Sequence, residues 1–198
     1  MDNIMKEYIV EKITESQVMI SAMLDDQILL SQVHLSAKAC IDCFQNSGKL
    51  LLAGNGGSAA DSQHIAGELV SRFEFDRPGL SAIALTTDTS ILTAIGNDYG
   101  YDNLFSRQIQ AHGKKGDVFI GYSTSGQSKN ILNGFKEARS QGLICIGVTG
   151  NKGGVIHELC DYVLAVPASD TPNIQEGHLV LGHILCGLIE KSIFKPQK

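Results

Sequence analysis

Residues 49–58 read Lys-Leu-Leu-Leu-Ala-Gly-Asn-Gly-Gly-Ser, and this stretch narrows the folds open to the chain. An apolar run of strand length ends in a turn built from Gly54, Asn55, Gly56 and Gly57, and Ser58 then opens a helical stretch. Glycine tolerates positive φ and close backbone approach, so the turn can present main-chain N–H groups to a ligand. The helix behind it adds its unpaired amides and positive end. The combination reads as an anion site, with phosphate the anion it suits best. No Lys-Ser/Thr pair follows the glycines, so the Walker motif is absent. The third glycine of the dinucleotide fingerprint would fall at Ala59, a position that some variants also fill with alanine.

The same order of strand and helix recurs. Residues 80–85, 117–122, 143–148 and 162–166 read as four more strands. Helices are predicted from Asp88 to near Asn97, over 101–111, from Ser128 to Gly142, around 154–160, and over 173–193. The last is apolar over much of its surface, which predicts burial. Such repetition implies an α/β three-layer sandwich, a five-stranded parallel sheet flanked by helices. Right-handed crossovers would gather the ligand turns at one edge, beyond the C-terminal ends of the strands.

Ahead of the first strand, 3–24 and 27–46 carry apolar residues at helical spacing, among them Ile9, Ile13, Ile20 and Met23, then Ile28, Val33, Ala37 and Ile41. These stripes can cover the sheet or pair between subunits. The 198 residues suit one domain spanning 1–198, with a helical segment over 1–47.

A formal charge of −5 argues against a broad nucleic-acid surface. No apolar run reaches the length of a membrane span, and the N-terminal stretch does not read as a signal peptide. Cys40, Cys43, Cys145, Cys160 and Cys186 are odd in number, and four of them sit in apolar segments, the pattern of reduced thiols in a cytoplasmic protein. Cys40 and Cys43 have CxxC spacing but lie mid-helix with no second such pair, so neither zinc nor redox chemistry is expected of them.

Ser123-Thr-Ser-Gly-Gln-Ser128 is the sharper phosphate signal, since its hydroxyls and the amides of the following helix can encircle an anion. Lys129 beside it is either an added charge or a solvated helix residue. His64 and Glu68, four apart, share one helix face near the Gly-rich turn. Gln175, Glu176, His178 and His183 interrupt an otherwise apolar helix, and histidines there need partners or carry a desolvation cost. Gln175 and His183 are eight apart and can reach a common cavity. With His64 and Glu68 they make either an acid/base site or a four-ligand metal site of mixed nitrogen and oxygen, compatible with zinc or another late divalent ion. Asp61 can hydrogen-bond around this shell or cap its helix. Arg72 can hold substrate oxygens or close a loop salt bridge.

Leu52-Ala-Gly-Asn-Gly-Gly-Ser-Ala-Ala-Asp-Ser-Gln-His-Ile-Ala-Gly-Glu-Leu69, Thr93-Ala-Ile-Gly-Asn-Asp98, Ser123–Ser128, and Ile174-Gln-Glu-Gly-His178 followed by His183 together carry a family likeness. Over essentially its whole length the chain resembles the sugar isomerase (SIS) family, and within it the bacterial heptose-phosphate isomerases. The resemblance implies conversion of sedoheptulose 7-phosphate to D-glycero-D-manno-heptose 7-phosphate, the first step toward activated heptose for lipopolysaccharide. It implies Glu68 as the catalytic carboxylate, His183 as its partner, and one Zn²⁺ per subunit held by His64, Glu68, Gln175 and His183. Asn55, Gly56, Gly57, Ser58, Arg72, Asp98, Ser123, Thr124, Ser125, Ser128, Asp170 and Gln175 would meet the sugar or its phosphate. It further implies a homotetramer with sites between subunits, assembled with help from the N-terminal helices. Two other readings compete: an isomerase of another sugar phosphate, and a non-catalytic SIS adaptor binding the replication initiator. The pairing of Glu68 with His183 counts against the adaptor.

Overall fold

Leu50, Leu51, Leu52 and Ala53 form strand β1, and all four side chains are buried. In the computed structural model, which describes residues 3–151 and 153–194, β1 lies inside a five-stranded sheet, so its alternate residues enter two different cores. Leu50 and Leu52 join one core, Leu51 and Ala53 the other. This is why the run shows no polar alternation: both faces are covered. Each leucine so enclosed contributes on the order of 2 kcal/mol.

The remaining strands are β2 (Ala82–Ala84), β3 (Val118–Tyr122), β4 (Ile144–Gly150) and β5 (Tyr162–Val166). All pair in parallel, in the order β2-β1-β3-β4-β5. Among the described residues eight α-helices accompany them: α1 (Asn3–Asp25), α2 (Gln27–Gln45), α3 (Gly57–Val70), α4 (Thr89–Asp98), α5 (Leu104–His112), α6 (Lys129–Ser140), α7 (Ile156–Leu159) and α8 (Thr171–Ile193). The first core draws on α1, α2, α3 and α8, and the second on α5, α6 and α7. The three-layer α/β fold expected from the sequence is therefore the fold observed.

Boundaries move where tertiary hydrogen bonds intervene. Residue 117 was expected to begin a strand, but its carboxylate accepts from Lys49 N at 3.0 Å, Lys49 Nζ at 2.5 Å and Lys114 N at 2.9 Å, stitching the starts of β1 and β3 together. The second strand is three residues long rather than six, because it is an edge strand paired only with β1. β4 runs on to Gly150 because β5 pairs with it as far as Val166. The expected 101–111 helix divides into a 3₁₀ turn, Tyr101–Asn103, and α5. α8 starts at Thr171, two residues early, because Asp170 caps it by accepting from Asn173 N.

The two N-terminal helices behave differently. α2 buries Leu29, Val33, Ala37, Cys40 and Cys43 against the sheet. α1 buries only Met19 and Met23 and leaves Ile4, Ile9, Ile13 and Leu24 exposed, Ile4 at 73% and Ile13 at 66%. Among the described residues no helix is long and apolar enough to cross a membrane. All five cysteines are free thiols, and burial pushes Cys43 up to about 11 and Cys145 and Cys186 up to about 12. At neutral pH these thiols are protonated and unreactive.

Candidate active site

The sheet order places β1 and β3 side by side, yet α3 leaves β1 toward the first core while α6 leaves β3 toward the second. Where chain direction diverges in this way, a crevice opens beyond the strands' C-terminal ends. Both phosphate-binding candidates lie there. Asn55 in the first turn exchanges amide hydrogen bonds with Asn130 on α6, at 3.0 and 2.8 Å. It also accepts from the Tyr101 hydroxyl at 2.9 Å. Its side chain, expected beside the sugar, thus ties the two turns to each other.

In the second turn Ser123 Oγ donates to Ser128 Oγ at 3.0 Å and accepts from Ser128 N at 3.3 Å. Gly126 has φ +65°, and a Cβ there would meet the Gly153 carbonyl oxygen. Only glycine lets the turn curl this tightly. Thr124 and Ser125 face a cavity of about 260 Å³, whose far wall includes Ser169 and Thr171. The serine-rich turn therefore lines a concave surface rich in hydroxyl groups.

The catalytic candidates come from two helices packed in parallel. Gly57 faces Gln175 near the start of both, and Ile65 sits in the notch left by Gly182 further along. This register brings His183 of α8 to His64 of α3. Their Nε2 atoms are 3.2 Å apart, and His64 Nε2 lies 3.1 Å from Glu68 Oε1. One ligand atom from each of the three residues lies within 4.8 Å of the others. His64 is exposed and Glu68 and His183 are half-buried, so solvent and substrate can reach them. Phe73, in the connector after α3, stacks on His183 with ring centroids 5.6 Å apart and planes inclined by 27°.

These three side chains fit a metal ion. Tetrahedral zinc with bonds of about 2.0–2.1 Å spaces its ligand atoms by about 3.3 Å, close to the 3.1 and 3.2 Å observed. Two imidazoles and one carboxylate also form a common catalytic donor set with a position left open. Gln175, the fourth ligand implied by the resemblance, stands two helical turns before His183 with its amide against Gly57, where a Cβ would approach to 2.5 Å. That location lies at the Gly-rich turn and suits the substrate contact also expected of it.

Among the described residues the other candidates make no hydrogen bond to this cluster. Ser58 is buried at the start of α3. Arg72 is exposed in the connector after α3, and Asp98 is exposed at the end of α4, where it accepts from Asn97. Asp170 is an exposed helix cap, its carboxyl held below the usual range by hydrogen bonds from Asn173. Asp61 does not cap α3, where Gly56 occupies the cap, and among the described residues it does not bond to the cluster and its buried Oδ2 has no partner. Burial raises its carboxyl, against the pull of His64. Lys129 is a solvated residue, 3.9 Å from Asp102.

His178 does not meet the requirement for partners. Fully buried, its ring lies 5.7 Å from that of Tyr122, and neither nitrogen makes a hydrogen bond of good geometry among the described residues. Burial pushes its pKa down to about 4, outweighing the opposing effect of the Thr149 main chain. It is a neutral core residue. Sequence reading also passed over Asn130, Tyr101, Phe73, Arg77 and Glu190. Glu190 had a signal, an acid in the apolar run Leu188-Ile189-Glu190, where a charge must find a partner.

The chain has clear relatives among known proteins. Residues 13–150 match the SIS domain family. Over 197 residues the chain is 66% identical to a phosphoheptose isomerase of Burkholderia pseudomallei, covering 100% of both chains. The solved phosphoheptose isomerase of Neisseria gonorrhoeae superposes with a TM-score of 0.87 at 41% identity, over 93% of this chain and 98% of that one. The Francisella tularensis phosphoheptose isomerase gives 0.88 at 33% identity, over 96% and 100%. With its parallel sheet, its serine-rich turn and its full-length likeness to these enzymes, the chain belongs to the SIS-domain phosphoheptose isomerases.

Proposed function

We propose that Glu68 and His183 carry the proton transfers of the isomerisation while the Ser123–Ser128 turn holds the phosphate. The enzyme interconverts sedoheptulose 7-phosphate and D-glycero-D-manno-heptose 7-phosphate, moving the carbonyl from C2 to C1 and supplying heptose for lipopolysaccharide. One observation carries the residue assignment: a carboxylate and an imidazole from different helices meet at one solvent-accessible point. Among the described residues His64 engages Oε1 of Glu68, and Oε2 is the oxygen that would act as the base. In a cis-enediol route Glu68 takes the C1 proton and returns it to C2, and His183 moves a proton between the two oxygens. Such transfers need near-attack positioning, which binding of the remote phosphate supplies.

His64, Glu68 and His183 would hold a zinc ion, with Gln175 the fourth candidate. When bound, zinc supplies a Lewis acid that polarises a carbonyl and stabilises an enediolate. The reading extends to a cytoplasmic homotetramer. The exposed apolar side of α1 suits burial against other copies, and beside it Ile20, Leu24, Leu30, Val180 and Ile184 line an apolar cleft of about 180 Å³. Arg72, Asp98 and Asp170 would then be available to complete sites across subunit boundaries.

The test is NMR of sedoheptulose 7-phosphate in heavy water with wild type, Glu68→Gln and His183→Gln. The expected result is aldoheptose from wild type alone, with deuterium entering product C2. Turnover by both variants at the wild-type rate would remove these residues from the mechanism.

A further inference from the structure

We propose that Arg77 and Glu190 are positioning residues for the isomerisation, holding Phe73 on His183 and the end of α3 against α8. The inference rests on the roles assigned to Glu68 and His183 above. Arg77 lies in the connector after α3 and Glu190 near the end of α8, and their side chains are 2% and 0% exposed. Arg77 Nε donates to Glu190 Oε1 at 2.9 Å. Its Nη2 donates to the Glu68 carbonyl at 2.8 Å, and Nη1 to that of Leu69 at 2.6 Å, with longer bonds to Pro78 and Ser71. Carbonyls in the last turn of a helix have no intrahelical donor. One guanidinium therefore closes the helix that carries Glu68.

Glu190 secures the other side. It accepts from Phe73 N at 3.0 Å and Glu74 N at 2.7 Å. Burial by itself would raise its carboxyl, but the amides of Glu74 and Phe73 and the Arg77 side chain together hold it below the usual range, so it stays charged. His183 and Glu190 are seven apart and share a helix face. Pinning the Phe73 main chain at Glu190 therefore lays the Phe73 ring along His183. A buried ion pair is a weak source of stability compared with apolar residues of the same volume, whereas its directional bonds fix position. Here those bonds end on the backbone of Glu68 and on the residue that stacks on His183.

The experiment is steady-state kinetics with thermal unfolding on Phe73→Leu, Glu190→Gln and the double variant Arg77→Leu/Glu190→Leu, with Glu68→Gln and His183→Gln as controls. A misplacement of about 1 Å can cost about a hundredfold in rate. The expected result for Phe73→Leu is a kcat roughly tenfold lower with KM within about twofold of wild type and an unchanged unfolding midpoint. The double variant takes the partners from the Glu68 carbonyl and the Phe73 and Glu74 amides, so its unfolding midpoint and kcat are both expected to fall, whereas Phe73→Leu leaves those bonds in place and separates positioning from stability. Phe73→Leu keeps the test decisive if Glu190→Gln does not fold. Wild-type kcat in Phe73→Leu, with both controls inactive, would overturn the positioning role alone. Active controls would overturn the site assignment and this inference with it.

Discussion

His183 Nε2 lies 3.2 Å from His64 Nε2, although 119 residues separate them in the chain. Glu68 Oε1 lies 3.1 Å from the same His64 nitrogen, and the two separations are close to the ligand spacing of a tetrahedral ion. Calorimetric titration with zinc is expected to give one site per chain. His64→Ala should weaken it by at least about tenfold, since even outer-shell partners of metal ligands commonly cost that much. Equal zinc affinity in the variant and wild type would place the metal elsewhere.

Ser128 offers its hydroxyl to the anion turn and makes one described side-chain bond, to Ser123. A hydrogen bond to a charged group contributes about 1.5–3 kcal/mol. Ser128→Ala is therefore expected to raise KM about tenfold or more and to weaken inhibition by inorganic phosphate in parallel. If KM is unchanged, the phosphate does not sit in this turn.

His178 is held neutral in the fold, with a pKa pushed down to about 4 from the ordinary 6.5. Between those values the unfolded chain binds the proton and the folded chain does not, so stability rises with pH through this window and is lost as pH falls. At about 1.4 kcal/mol per unit the full contribution is on the order of 3 kcal/mol. Denaturant unfolding of His178→Leu from pH 7 to 4 should give a flatter stability profile than wild type. Parallel profiles would show that His178 is not the group responsible.

The apolar side of α1 is left in water by the single chain. If copies pair through α1 as proposed, Ile9→Glu with Ile13→Glu should shift sedimentation velocity toward smaller species, with the helical content retained. A tetramer that persists in this variant would mean that α1 does not hold the copies together.

A good part of the molecule was legible in order along the chain. The five apolar runs, the Gly-rich and Ser-rich turns, and the amphipathic or apolar helices depend on neighbours a few residues away, and short-range preferences record them well. β1 is the clearest case, since an unbroken Leu-Leu-Leu-Ala run already implies cover on both faces. The pairing of His64 with Glu68 was visible because helical spacing alone creates it.

Other features are set by packing between segments far apart in sequence. The notch at Gly182 accepts Ile65 and so fixes how α8 slides along α3, which brings His183 to His64 and leaves Gln175 at Gly57. The same contact register puts Glu190 under the connector, where Arg77 and the amides of Phe73 and Glu74 satisfy its charge. Local sequence determined which helices and turns would form and which of their residues could do chemistry. Tertiary structure decided which of them meet, because side-chain volume at a helix crossing and the need to pair a buried charge act across the fold, not along the chain.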